Sequence, residues 1–498
     1  MSRPPLEMTT PAEQVDVAIV GGGIAGLCAA YRLRERAPEL SCVLLEASVR
    51  LGGKVLTETI ELESGRFVVE AGPDAFLAQK PWARQLAEEL GLADQIIPIN
   101  AVPQPVSVLK RGRPVALPAG VSLLAPTRTW PFLRSPLLSP QGKARVALDL
   151  VLPATGGNAD ESLAEFVRRR LGAEALDWIA EPLMAGIYNA EPEQLSLLAT
   201  FPTFRQLERD HRSLIRGSRA TARGMQGKPK GPAFLSLRGG MQELTDALVA
   251  KTAGMARCHT PVERVTRRAE GAFALLFADR PPIVAQALLM TVPAAEAARL
   301  LEPMALQATR ELTGLRTVGA GAMTLAYRTK EVKRPLPGYG LVVPRRERRP
   351  INAITVASRK FDGRAPEGWE LLRVFFGGAR SPETMLLDEE RLIAVVGAQL
   401  REILGIEAQP AFHRVYRWSS GSPQYDVGHL GRVAAIEDAL PPGFFIAGGA
   451  YHGVGIPDIV RSMAATVDRI IFESSTKRRG ETPMSHENDT SRGAFING

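Results

Sequence analysis

Apolar positions along the chain follow two periods. Asp16-Val17-Ala18-Ile19-Val20 is a short β-branched run of the kind that forms a buried strand, and from Leu27 to Arg36 the apolar residues recur at helical spacing. Gly21-Gly22-Gly23-Ile24-Ala25-Gly26 lies between them, so the opening reads strand, tight turn, helix. A second apolar run, Cys42-Val43-Leu44-Leu45, ends in Glu46. Further on, Phe234 to Leu237 predicts a strand leading through Gly239-Gly240 into a helix, Thr260 to Val265 predicts another strand, and Ala287 to Pro293 a buried one. Gly443-Phe444-Phe445-Ile446-Ala447 predicts a last buried strand, followed by a glycine-rich loop and a helix striped by Ile459, Met463, Val467 and Ile470. Strands alternating with helices at both ends point to an α/β fold.

The first glycine run has a mechanical reading. Gly21 permits the turn, Gly23 lets backbone approach a pyrophosphate, and Gly26 lets the helix pack on the strand, which leaves the helix N-terminus at Ile24 and Ala25 aimed at phosphate. Glu46, with Ala47 after it, lies about twenty residues beyond the last glycine, where a carboxylate accepts hydrogen bonds from a ribose diol. A 2′-phosphate would be repelled there. This motif does not by itself separate NAD from FAD.

The continuation does. Arg50-Leu51-Gly52-Gly53-Lys54 and Glu70-Ala71-Gly72-Pro73-Asp74 resemble the flavin-binding segments of the amine oxidase and phytoene desaturase superfamily. Arg50 can neutralise phosphate charge, and Lys54 stands where that superfamily often has Arg, which keeps the charge and loses the bidentate fork. The resemblance implies that Val262 meets the adenine end, that Trp418 borders the flavin, and that Gly448, Gly455 and Ile456 bring backbone and a second helix N-terminus to the same cofactor. Gly449 departs from the superfamily, which commonly has an acidic or amide residue there to hold the ribityl hydroxyls.

Segments outside the cofactor motifs narrow the likeness. Glu181 to Tyr188, Leu195 to Pro202, Leu207 to Arg216, Gly338 to Pro344, Phe376 to Gly378, Pro423 to Tyr425 and Gly428-His429 resemble the protoporphyrinogen oxidase family, and the resemblance runs from about Val15 to Ile471. It implies non-covalent FAD, a porphyrinogen substrate, dioxygen as acceptor and hydrogen peroxide as product. In that family Gly186 would lie beside the substrate, with Val342 and Phe361 sandwiching the macrocycle; core packing is the competing reading for the last two. The family often has an Arg for a substrate propionate where this chain has Val106, which leaves Lys110, Arg128 and Lys360 as candidates. No basic cluster is visible in the sequence around this site, which favours protoporphyrinogen IX over coproporphyrinogen III. His452 in the C-terminal loop is expected to bond backbone or cofactor phosphate. A flavin amine oxidase, a phytoene-type desaturase and a flavin-binding scaffold without catalysis are the competing classes.

The fold class expected is α/β: a discontinuous Rossmann-like FAD-binding domain (14–85, 232–296 and 415–473), a mixed-sheet substrate domain (86–105, 206–231 and 297–414) and a helical insert (106–205), as in the p-hydroxybenzoate hydroxylase and amine oxidase architecture. Residues 1–13 are expected as a disordered arm, 474–498 as a disordered tail, and Arg216 to Lys230 as a flexible loop.

Composition adds bounds. With 498 residues, 45% of them hydrophobic, the chain can bury more than one core. No stretch reaches the roughly 18 uncharged apolar residues of a spanning helix, and Met1 to Gln14 do not read as a secretion signal. Cys28, Cys42 and Cys258 form no C-x-x-C pair, and a reducing cytoplasm is expected. The net charge of +8 comes from scattered Arg without a nucleic-acid motif, so an anionic membrane surface or substrate is expected and nucleic acid is not. Leu117 to Leu138, which mix Trp130 and Phe132 with Arg and Pro, suit either peripheral contact with the inner face of a cell membrane or a proline-rich loop covering the protein's own core. The resemblance also admits a homodimer. No Ser-His-Asp set, H-E-x-x-H or other metal motif stands out, so no catalytic side chain is assigned and flavin N5 is expected to carry the chemistry.

Overall fold

A computed structural model describes residues 12–122, 124–155, 157, 159–224 and 231–478. The first strand, Glu13–Val20, lies inside a seven-stranded sheet between Cys42–Leu45 and Ile283–Met290, parallel to both. Val17, Ala18 and Ile19 are wholly buried, because a parallel strand covered on both faces has no solvent side. Phe444–Ile446 also runs parallel to Ile283–Met290, so the far end of the chain returns to this sheet. The helices Ile24–Arg36 and Ile456–Arg478 cover one face, joined through Leu27, Leu33, Met463, Val467 and Ile470. Ala294–Leu301 and Leu306–Thr313 cover the other.

A second seven-stranded sheet has the order Phe412–Pro423, Thr317–Arg328, Trp369–Gly377, Ala353–Val356, Gly340–Val342, Val106–Lys110, Arg113–Ala116. Met323, Leu325, Leu372, Val374 and Phe376 point to a core shared with the helix Glu389–Leu404. The alternate positions Ala320, Ala322 and Thr324 pair across the ladder with Gly377, Phe375 and Arg373 on one side and, for the first two, with Trp418 and Tyr416 on the other. These residues form the opposite face, and a slip of one residue would exchange the two sets.

A helical region including Leu163–Arg170, Pro202–His211 and Leu214–Gly224 packs around a third core. Arg170 and Asp149, both fully buried, are bonded to each other at 2.7 Å, and the Asp149 carboxylate also accepts from Ser213 Oγ and the Ile215 N–H. Removing one partner of such a pair would strand the other charge.

The structure departs from the sequence reading at several edges. Val106–Lys110 and Arg113–Ala116 form a hairpin of the second sheet rather than opening the helical insert. Its turn, Arg111-Gly112, has positive φ at both residues, as a two-residue hairpin requires. Glu13, placed in the N-terminal arm, begins a strand and pairs with Arg257. Residues 216–224 of the expected loop are helical because Leu214, Ile215, Gly217 and Ser218 make a buried stripe; 225–230 lie outside the described residues. The last helix passes Ser474 and runs through Arg478. Thr260 to Glu263 are extended wall rather than strand, since the Thr260 N–H donates to the Glu46 carbonyl; the strand begins at Arg264.

Candidate active site and cofactor cleft

A single cleft of about 1450 Å3 runs from the carboxyl ends of the first sheet to the open face of the second. That exceeds the roughly 300–1,000 Å3 of an ordinary small-ligand site and leaves room for a dinucleotide with a substrate beside it. The nucleotide end is built where strand Glu13–Val20 stops, the usual place for a ligand in a parallel sheet. Gly21 and Gly23 line it, as do Ile24 and Ala25 in the first turn of the helix. No side chain caps that helix, so its first N–H groups are open to the cleft, a seat for pyrophosphate. Gly26 does not line the cleft. A Cβ there would stand 1.9 Å from the Gly21 carbonyl oxygen, so only glycine lets the helix approach the turn.

Glu46 has a larger role than expected. Its carboxylate accepts from the Gly22 N–H and from the Ser48 N–H, each at 2.7 Å, and so ties the glycine turn to the second strand. It lines the cleft with Ala47 and keeps lone pairs for a diol. Thr291, whose role the sequence reading missed, donates from its hydroxyl to the Gly21 carbonyl at 2.8 Å. The second glycine loop lies directly on the first: Gly52 bridges Gly23, and the Gly52 N–H donates to the Gly22 carbonyl at 2.8 Å. Gly52 is therefore a support behind the wall, while Gly53 is part of it. Arg50 lines the cleft but folds its guanidinium onto the carbonyls of Leu51, Gly53 and Val55. Val262 lines the same end.

Lys54, Gly72, Pro73 and Trp418 line the other end. The Lys54 ammonium donates to the carbonyls of Ser420 and Gly421, at 2.5 and 3.0 Å, and burial pushes its pKa down. The Trp418 indole donates to the Ala71 carbonyl at 3.0 Å. These bonds pin the cofactor loops to strand Phe412–Pro423 of the second sheet. Asp74 points away from the cleft: it pairs with Lys360 at 2.7 Å in a buried charged cluster, and although burial pushes its pKa up, Lys360, Arg373 and Arg364 hold it below the usual carboxylate range. Gly448, Gly455 and Ile456 line the cleft where the last helix begins, the second helix N-terminus at this site. The Tyr425 hydroxyl holds their loop by donating to the Gly449 carbonyl at 2.9 Å and accepting from the Gly453 N–H at 2.7 Å. His452 does not bond backbone as expected; its Nε2 stands 3.0 Å from Glu437. The donors, the uncapped start of the first helix and the volume all fit a flavin dinucleotide.

The substrate end differs from the expectation. Gly186 opens the short helix Gly186–Tyr188 behind the wall, and it is Ile187, Tyr188 and Asn189 that reach the cleft. They are delivered by a π-helix, Leu176–Ala185, a strained element that often marks functional sites. Its Glu181 accepts from the Arg345 N–H at 3.0 Å and faces Arg380 at 3.3 Å; burial raises the pKa of its carboxyl. Val342 packs against the helical core, and Phe361, 1% exposed, borders a separate cavity of about 10 Å3 with Glu70, Asp74 and Arg364. Neither lines the main cleft. Ala320, Gly321, Ala322, Arg373 and Phe375 do. Small residues repeated inside a strand, Gly319 to Ala322, were the available signal, since they mark close approach of a ligand. Of the cations proposed for the missing Arg, Lys110 is committed to the carbonyls of Pro136 and Leu137 and Lys360 to Asp74, while Arg128 is exposed, with its stem beside Gly120, and does not line the cleft.

Comparison with known proteins agrees with this geometry. The family model for flavin containing amine oxidoreductases matches residues 24–471. A coproporphyrinogen III oxidase of Propionibacterium freudenreichii subsp. freudenreichii is 35% identical across 92% of this chain and 91% of its own. A chloroplastic protoporphyrinogen oxidase of Nicotiana tabacum is 30% identical across 90% of this chain and 83% of its own. A crystal structure from Exiguobacterium sp. 255-15, provisionally named a protoporphyrinogen oxidase, superposes with a TM-score of 0.83 at 32% identity, covering 93% of this chain and 100% of the other. The chain belongs to the flavin containing amine oxidoreductase family and, within it, to the porphyrinogen oxidases, with FAD as its cofactor.

Proposed function

We propose that the protein oxidises a porphyrinogen to its porphyrin in haem formation, in successive two-electron rounds, each returning its electrons to dioxygen as hydrogen peroxide. The observation that carries this is the continuity of the cleft: one cavity joins the dinucleotide seat to a floor of Ala320, Ala322 and Phe375, with Ile187 also in its lining. Bound FAD supplies the hydride acceptor. The protein's residues hold and orient. The floor admits a planar ring because Ala320 and Ala322 carry only methyl groups on its open face, and Ile187, 61% exposed, adds apolar surface to the lining.

Carboxylates and imidazoles are not part of this end. Among the described lining residues, the carboxylates Glu46, Glu263 and Glu296 belong to the nucleotide half, and no Asp, Glu or His stands beside the floor. That suits a substrate whose pyrrole N–H becomes acidic as hydride leaves, and it disfavours reactions that need a carboxylate or imidazole base. Porphyrin fluorescence and peroxide release, followed as porphyrinogens, amines and carotene precursors are offered to the FAD-loaded protein in air, test the reading. Turnover of an amine with none of porphyrinogen would refute it.

Peripheral membrane attachment belongs to the same proposal. Among the described residues no helix is long and apolar enough to cross a membrane. Trp130 (72% exposed) and Val151 (74%) stand in the helical region with Leu133 and Leu148 exposed beside them, and the Arg134 guanidinium lies over the Trp130 ring at 5.8 Å. Flotation with anionic vesicles that is lost in Trp130→Ser supports attachment; absence of flotation by the unaltered protein refutes it.

A further inference from the structure

The charges between the two sheets do not balance. Glu70 faces Arg364 at 3.7 Å and also accepts from the Thr57 hydroxyl and the Met241 N–H, while Asp74 takes Lys360 at 2.7 Å. Arg373 shares the small cavity with both carboxylates and helps hold the Asp74 pKa down, yet it makes no direct ion pair with either. It is 5% exposed, its one hydrogen bond goes to the Gly72 carbonyl at 2.5 Å, and its Nε is buried with no partner. A buried guanidinium with no carboxylate in salt-bridge reach among the described residues is costly unless an anion meets it.

Its placement says where that anion comes from. Arg373 borders both the small cavity with Glu70 and Asp74 and the main cleft. Pairing with Thr324 puts it on the open face of the second sheet, in line with Phe375, over whose ring its guanidinium lies at 4.8 Å. An aromatic platform beside a cation with unused donor capacity is suited to a flat ring that carries an acid on its edge. Lys54, another cation lining this end, spends its bonds on the carbonyls of Ser420 and Gly421.

We infer that Arg373 is the carboxylate anchor for the substrate, taking the place of the missing Arg at Val106. The inference rests on the porphyrinogen reading and deepens it: a propionate of the macrocycle, a group that coproporphyrinogen III and protoporphyrinogen IX both carry, is seated at Arg373. The sequence shows no basic cluster around this site; the fold brings one buried cation, Arg373, to the floor.

The test compares coproporphyrinogen III with its tetramethyl ester, and the product porphyrins in the same two forms by fluorescence quenching, in FAD-loaded protein and in Arg373→Met, Arg373→Gln and Arg373→Lys. One charge-assisted bond corresponds to a preference for the acid over the ester of about 10- to 100-fold in KM and in porphyrin affinity. That ratio collapses toward one in Arg373→Met and Arg373→Gln and is largely restored in Arg373→Lys, while flavin titration shows that each variant still takes up FAD. An unchanged ratio would overturn the assignment; with a shifted flavin potential, it would give the charge to the cofactor instead. Porphyrin binding is measured without turnover, so a protein that bound the acid selectively yet oxidised no porphyrinogen would overturn the proposed reaction and leave the anchor standing.

Discussion

At the scale of single residues, the site depends on atoms that are absent as much as on those present. Gly26→Ala puts a methyl 1.9 Å from the Gly21 carbonyl oxygen, a contact with backbone that no rotamer relieves. Overpacking of this kind costs about 1–3 kcal/mol or more, and here it moves the phosphate seat itself. The variant is expected to purify without yellow colour and with a lowered Tm; a flavin-to-protein absorbance ratio equal to that of the unaltered chain would contradict this. His429 makes a second prediction. Its ring stacks on Tyr425 at 3.9 Å, and because the Tyr451 carbonyl can only accept, Nε2 carries the proton and the buried Nδ1 has no partner. Burial pushes its pKa from 6.5 down to about 4, against the pull of the Tyr451 carbonyl. The unfolded chain therefore binds this proton first as pH falls. Stability is unaffected above pH 6.5 and declines by about 3 kcal/mol between there and pH 4. His429→Gln, which keeps a donor and cannot titrate, should flatten that part of the acid limb in denaturant titrations; an equally steep limb would show that other groups set it.

At the scale of elements, loops are held by bonds from distant strands. The glycine loop after strand Phe444–Ile446 has no regular structure of its own, and Tyr425, 1% exposed, spans it from Gly449 to Gly453. The same segment is clipped to the helical region, since the Ser196 N–H donates to the Tyr425 carbonyl at 2.7 Å and Gln424 donates to the Tyr188 carbonyl at 3.0 Å. Tyr425→Phe leaves a buried carbonyl and N–H unpaired, at about 1–3 kcal/mol for each lost bond. FAD affinity should fall by about tenfold or more with little change in far-UV circular dichroism. An unchanged flavin titration would mean that Gly448 to Ile456 hold their shape unaided. Elements also account for the errors in reading the chain. The helix Leu214–Gly224 looked like a loop because its Arg and Gly content masks an apolar stripe of only four buried residues. The hairpin at Arg111-Gly112 was attached to the wrong region because strand pairing to Gly340–Val342 is a contact between residues far apart in sequence.

At the scale of the molecule, the cleft belongs to no one segment. Its nucleotide seat uses the first strand, the loops through Pro73, the wall at Thr260 to Val262 and the start of the last helix; the floor comes from the second sheet. A ligand that binds only when all of these are in place stabilises the whole fold by mass action, about 2.7 kcal/mol at a hundred times Kd. Saturating FAD should therefore raise the Tm of the stripped protein in a single cooperative step. Two separated transitions, with only one responding to FAD, would show that the sheets unfold independently.

The dinucleotide seat was legible along the chain because its parts are local: strand, glycines, helix and acid occupy Asp16 to Glu46, and short-range sterics and hydrogen bonding decide their geometry. The same holds for the helix stripe at Ile459 to Ile470. The substrate side was not legible. Arg373 and Phe375 reach the cleft while Val374 and Phe376 enter the core only through the register of Trp369–Gly377 against its neighbours, and Asp74 turns from the cofactor because it pairs with Lys360, 286 positions away. Local chemistry determined what could bind; long-range pairing, where one residue of register exchanges the two faces of a sheet, decided which side chains meet it.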